Sequence, residues 1–156
     1  NNVKDLWVYY CCCQVNKVSN RLMAMPTARN RIIATQFFKY DIVGFLQWGF
    51  NFYYSQHSKR EINPFEETDA GKAFPSGDAF VVYPGDNGRP LSSLRQKVFY
   101  DGFQDISALI ALENRYSREY ALDFIKENLG DINFRNYPMD NATFLSFREK
   151  LSDILG

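Results

Sequence analysis

Between Leu6 and Phe50 the chain presents two apolar runs with a helical pattern between them, an order that few folds accept. The first run, Leu6 to Cys13 (LWVYYCCC), is rich in aromatic and β-branched residues and is expected to form a buried strand. A polar loop follows at Gln14 to Asn20. Pro26 suits the first turn of a helix, and Ile32, Ile33, Phe37 and Tyr40 recur at spacings of about 3.6 residues. A helix is therefore expected from about Pro26 to Tyr40. Ile42 to Phe50 is the second run, apolar without alternation, as in a strand buried on both faces. Strand, loop, helix and strand make a crossover unit of a parallel sheet, and the fold class is α/β.

In such folds ligand sites are built at the carboxyl ends of the strands. The second run continues as VGFLQWGFNFYY, Val43 to Tyr54, and brings Trp48, Asn51, Tyr53 and Tyr54 to that end. An Asn among aromatics is not something a core requires, and the combination reads as a sugar-binding wall. The same residues also fit a well-packed core strand with a tyrosine-rich edge.

Composition narrows the partners. The 156 residues suffice for one domain with a real core, and 18 basic residues balance 18 acidic ones. Zero net charge gives no footprint for nucleic acid or an anionic membrane. No apolar stretch approaches the roughly 20 residues of a membrane span, and no basic leader opens the sequence. The chain begins at Asn1 with a strand-like segment close behind, so it is expected to be part of a longer protein. Cys11, Cys12 and Cys13 are consecutive, and neighbours on a strand point to opposite faces. They are expected to be small buried hydrophobes rather than metal ligands, and His57 is far from them in sequence.

Ser55 to Lys72 is a long polar connection. A turn at PSGD then leads to a short third strand at Ala79 to Tyr83, with a second turn at Gly85 to Pro90. Ser93 and Gln96 form a capping box for the longest helix, which runs to about Arg115 with Leu94, Val98, Ile106, Leu109 and Ile110 on its buried face. Gly102 should mark close packing. Further helices are expected near Ser117 to Leu129, closed by Gly130, and near Asn141 to Leu155, capped by Asp140.

No phosphate loop, HExxH, GxSxG or calcium-loop pattern occurs, so no cofactor is expected. Glu66, Glu67, Asp69 and Asp78 are the carboxylates nearest the strand ends. Asp78 is the best placed, although an Asp in a PSGD turn commonly binds local backbone amides.

The ordered segments WVYYCCCQ, NKVSNRLMAMPTARNRI, GFLQWGFNFY, AFPSGDAFVVYPG and LSSLRQKVFYDGFQD, over about residues 6 to 112, resemble the C-terminal part of the family 123 glycoside hydrolases. The resemblance implies the C-terminal portion of a (β/α)8 barrel over residues 1–115, followed by a helical extension over 116–156. It also implies cleavage of terminal β-linked N-acetylgalactosamine by substrate-assisted retention. In that mechanism an adjacent Asp-Glu pair supplies the acid and orients the substrate's own acetamido group. No Asp-Glu dipeptide occurs in the chain, so the pair is expected upstream of Asn1 and no catalytic residue is assigned here.

The substrate-binding candidates are Tyr10, Trp48, Asn51, Tyr53 and Asp78. Trp48 would stack on a pyranose ring or wall the acetamide methyl. The Tyr10 hydroxyl would hold the acetamide carbonyl, with Tyr9 taking its place if the register slips by one. Asn51 and Asp78 would bind sugar hydroxyls. Arg95 and Asp101 are expected to anchor their helix rather than touch substrate. The partner is a β-GalNAc-terminated glycan, and exposed sheet edges would favour self-association. The competing reading is a non-catalytic carbohydrate-binding or interaction module that uses Trp48, Tyr53 and Tyr54 as a stacking surface.

Overall fold

The computed structural model describes residues 3–156. Strand β1 (Leu6–Tyr10), helix α1 (Thr27–Lys39) and strand β2 (Ile42–Gln47) form the expected crossover, with β1 and β2 paired in parallel. Val8 lies opposite Phe45, Tyr9 opposite Leu46 and Tyr10 opposite Gln47, and a register shift falls between Leu6 and Trp7. Val8, Tyr10, Ile42 and Phe45 turn toward α1 and pack with its Ile33 and Phe37. By the period of two along a strand, Trp7 and Tyr9 leave the sheet on the other face. That face is open, with Trp7, Tyr9 and Leu46 all exposed.

Both strands are shorter than their apolar runs. β1 ends at Tyr10 rather than Cys13, and β2 ends at Gln47 rather than Phe50. Past Tyr10 the backbone bends and turns, held by the Gln14 side chain accepting from the Cys11 amide at 2.8 Å and by Asn20 donating to the Cys11 carbonyl at 2.9 Å. Past Gln47, Gly49 takes a φ of +68° and packs its backbone against Asp78 and Ala79.

Helix α1 is the centre of the molecule. Every residue from Ile32 to Phe38 is buried, because the sheet covers one side and three further helices cover the other. These are α2 (Leu94–Arg115), α3 (Arg118–Leu129) and α4 (Asn141–Leu155), capped by Ser93, Ser117 and Asp140, each accepting from the amide three residues on. A single cluster joins Ile32 and Phe38 of α1, Leu109 and Leu112 of α2, Phe124 and Ile125 of α3, and Phe144, Phe147 and Leu151 of α4. The core of α1 and α2 thus continues into the last two helices.

The buried face of α2 differs from the expected one. It carries Gly102, Asp105, Leu109 and Leu112, while Leu94 and Ile110 are exposed. At Gly102 a Cβ would stand 2.9 Å from the Arg31 carbonyl oxygen and 3.0 Å from the Ala34 Cβ, so only glycine permits α1 to approach this closely. The fully buried Asp105 binds Arg31 of α1 at 2.9 and 3.2 Å and Arg148 of α4 at 3.0 Å, tying three helices at one carboxylate. A sequence pattern built on apolar residues passes over both positions.

The chain between β2 and α2 makes a separate excursion. The expected strand at Ala79 to Tyr83 is instead β3 (Val82–Pro84), which pairs antiparallel with β4 (Pro90–Ser92). Ala79 and Phe80 are buried in an aromatic cluster but form no strand, apart from a bridge from Phe80 to Asn51. Among the described residues no helix is long and apolar enough to cross a membrane.

Candidate functional site

The carboxyl ends of β1 and β2 meet the PSGD turn, and two arginines, the buried Arg21 and the half-buried Arg95, tie the end of β2 to that turn. The Arg21 guanidinium donates to the carbonyls of Trp48 (2.5 Å), Gly49 (3.2 Å), Gly77 (3.0 Å) and Asp78 (3.0 Å). Arg95 donates to the carbonyls of Gly77 (2.6 Å), Phe80 (2.7 Å) and Arg21 (3.2 Å). Arg95 thus anchors the start of α2, as expected, but through backbone carbonyls. Gly77 lies directly under it with φ +81°, and a Cβ there would stand 2.6 Å from the Arg95 guanidinium. Burial and the charge of Arg95 lower the Arg21 pKa to about 10, against the pull of Asp78.

Asp78 follows Gly77 and is almost fully buried, and neither carboxylate oxygen has a protein hydrogen-bond partner. Burial raises its pKa, with Arg21, the Cys12 backbone and Arg95 opposing. Neither expected role fits. Its oxygens do not bind the local turn amides, and a carboxylate at this depth does not meet a sugar hydroxyl directly. The group sits beneath the end of β1, beside Cys12.

Tyr10 is a second correction. It is 4% exposed, faces α1, packs edge-on against Phe37 and Phe45, and shares a hydrogen bond of 3.3 Å with Ser19. Its backbone carbonyl, by contrast, accepts from the Trp48 amide at 3.1 Å and helps place that residue. Tyr9 is the tyrosine on the open face. Desolvation, then Cys11, Asp78 and Cys12, raise its phenol pKa, so these four residues share one neighbourhood. Trp7 lies flat over Gly44 on the same face, where a Cβ would stand 2.0 Å from the indole.

Trp48 is half-buried in an aromatic cluster, its ring 4.8 Å from that of Phe74 and 5.6 Å from that of Phe52. Arg21 holds it beside Asp78. Tyr53 belongs to the edge of the same cluster, but its hydroxyl donates to the Val82 carbonyl at 2.9 Å and fixes β3, so it is not free for a ligand. Asn51 is exposed and lines, with Tyr53 and the β3–β4 hairpin, a groove of about 310 Å³. Of the five candidates, Trp48 and Asp78 meet at the strand ends, Asn51 and Tyr53 meet in this groove, and Tyr10 belongs to neither. Of the remaining carboxylates, Glu67 pairs with Arg60 at 2.8 Å and Asp69 accepts from the Lys72 amide at 2.9 Å.

The cysteines depart furthest from expectation. Because β1 stops at Tyr10, Cys11 to Cys13 lie on a turn rather than a pleat, and their sulfurs converge. All three lie within 4.8 Å of one another, and Cys12 and Cys13 are 4.0 Å apart. Burial and the neighbouring thiols push the Cys12 pKa up to about 12.

A search of curated proteins returned no match. A family model, described as glycoside hydrolase 123, catalytic domain, matches residues 1–112. That match takes in the crossover, the two-arginine clamp, the PSGD turn and most of α2. The chain therefore belongs to glycoside hydrolase family 123.

Proposed function

We propose that this chain supplies the last strands and the aromatic wall of a (β/α)8 glycosidase that removes terminal β-linked N-acetylgalactosamine by substrate-assisted retention. Its Asp-Glu pair would be carried on an earlier strand. The observation that carries this reading is the convergence at the ends of β1 and β2. Tyr9 stands on the sheet face opposite α1, and Trp48 stands at the end of the neighbouring parallel strand. In a barrel that face is the interior and those ends form the catalytic rim.

Roles follow from chemistry. Trp48 offers a half-buried indole edge for a pyranose or for the acetamide methyl. The Tyr9 phenol, in place of Tyr10, donates to the acetamide carbonyl and holds it in the geometry of attack at the anomeric carbon. Asn51 contributes at the rim. Asp78 positions these groups from beneath, through Arg21 and the end of β1, rather than touching sugar.

The test is hydrolysis of a chromogenic β-GalNAc glycoside by this chain and by a version extended upstream through the family's Asp-Glu pair. Activity is expected only in the extended protein, and Trp48→Ala there should lower kcat/KM roughly 10-fold or more. Sugar binding without hydrolysis by both proteins would instead favour a carbohydrate-binding module.

A further inference from the structure

Three consecutive cysteines cannot converge while they lie on a strand, and here they do not. The turn that gathers them is built in advance. Gln14 accepts from the Cys11 amide, the buried Asn20 donates to the carbonyls of Cys11 and Gln14, and the Val15 amide donates to the Cys13 carbonyl. These bonds fix the backbone and leave the three thiols free. None of the three forms a disulfide, and Cys13 opens to solvent while Cys11 and Cys12 are half-buried. Among the described residues they are the one group of three or more His, Cys, Asp or Glu side chains close enough to share an ion.

We propose that Cys11, Cys12 and Cys13 form a binding site for a thiophilic cation of the Zn²⁺ class at the carboxyl end of β1. Sulfurs on a tetrahedral zinc stand about 3.8 Å apart, given Zn–S bonds of about 2.3 Å. The 4.0 Å between Cys12 and Cys13 already matches, and the 4.8 Å limit for the trio leaves a contraction of about 1 Å. Thiolates select Zn²⁺, Cd²⁺ and Cu⁺ over hard cations. The exposed side at Cys13 leaves the fourth position to water.

Binding replaces three S–H bonds by three metal–sulfur bonds. Zn²⁺, three thiols and one water give a tris-thiolate zinc aqua complex of charge −1 and three released protons. No electron moves and no oxidant is needed. The site does not depend on the sugar chemistry, although it adjoins Tyr9 and would stiffen the loop that leads to α1.

The experiment is titration of the reduced chain with Cd²⁺, followed by ultraviolet thiolate charge-transfer absorbance, with Zn²⁺ as competitor. One Cd²⁺ per chain, displaced by Zn²⁺ and accompanied by protection of all three thiols from iodoacetamide, is the expected result. Cys13→Ser, at the exposed position, should weaken binding by more than about 100-fold, beyond the 10- to 100-fold usual for an outer-sphere partner. Its circular dichroism should match that of the unaltered chain. His57→Ala should leave the titration unchanged. No charge-transfer band, a band that survives Cys13→Ser, or a reduced chain that forms a Cys12–Cys13 disulfide in air and binds no Cd²⁺ after re-reduction would each overturn the proposal.

Discussion

The hydroxyls of Tyr9 and Tyr10 leave the sheet on opposite faces, so one and the same Tyr→Phe change probes different things at the two positions. At Tyr10 it removes the bond to Ser19 inside the core, with an expected cost of about 0.5–1.5 kcal/mol in urea denaturation and no effect on hydrolysis by the extended enzyme. At Tyr9, which is 46% exposed, stability should not change, while kcat of the extended enzyme should fall roughly 10- to 100-fold. Equal kinetic effects at the two sites would undo the assignment. Asp78 invites a different substitution. Its raised pKa means that the folded state binds a proton more tightly than the unfolded chain does, despite Arg21 and Arg95. Its contribution therefore grows less favourable as pH rises from the ordinary aspartate value to the raised one, and the full penalty stands above that window. Asp78→Asn should stabilise the chain at neutral pH and flatten the mildly acidic part of its stability profile. A loss of stability at neutral pH would show instead that the two arginines need the charge.

The helices are held by polar and glycine positions as much as by apolar ones. Gly102→Ala gains about 1 kcal/mol of helix propensity but drives a methyl against the Arg31 carbonyl, so a net loss of about 1–2 kcal/mol is expected in thermal or urea unfolding. Asp105→Ala leaves Arg31 and Arg148 without their shared partner and should cost about 3–5 kcal/mol. Removing Glu67 from its exposed pair with Arg60 should cost less than about 1 kcal/mol. These contrasts also explain what the sequence could reveal. The β1–α1–β2 crossover, the caps at Ser93 and Asp140 and the close packing at Gly102 were legible, because periodicity and capping chemistry are local. The strand ends were not. Whether Cys11 to Cys13 continue a strand is decided by Gln14 and Asn20 binding the backbone, and no apolar pattern carries that information. The same holds for Arg21, whose four carbonyl partners come from segments about 30 and 60 residues away, and for Asp105, a charged residue inside an apolar stripe. At the candidate site, Trp48 could be read from its place at a strand end. Which of Tyr9 and Tyr10 faces the open side of the sheet is a matter of parity, and only the register gives it.

For the whole molecule the decisive feature is the uncovered face of the β1–β2 sheet. Trp7, Leu46 and Tyr9 are 66%, 59% and 46% exposed, on two strands whose opposite face is packed against α1. Apolar side chains gathered on one sheet face mark a surface that another layer covers. If that layer is the rest of a barrel, this chain by itself should associate with itself, and the extended protein should not. Leu46→Lys separates the cases, because Leu46 stands opposite Tyr9 in the register and is exposed on the open face. In this chain the lysine should reduce association, seen as a lower apparent mass by light scattering, with unfolding unchanged within about 0.5 kcal/mol. In the extended enzyme it would bury an unpaired ammonium inside the barrel, and both folding yield and hydrolysis should collapse. A monomeric parent chain, or an extended enzyme that tolerates the lysine, would mean that this face is not the interior of a barrel.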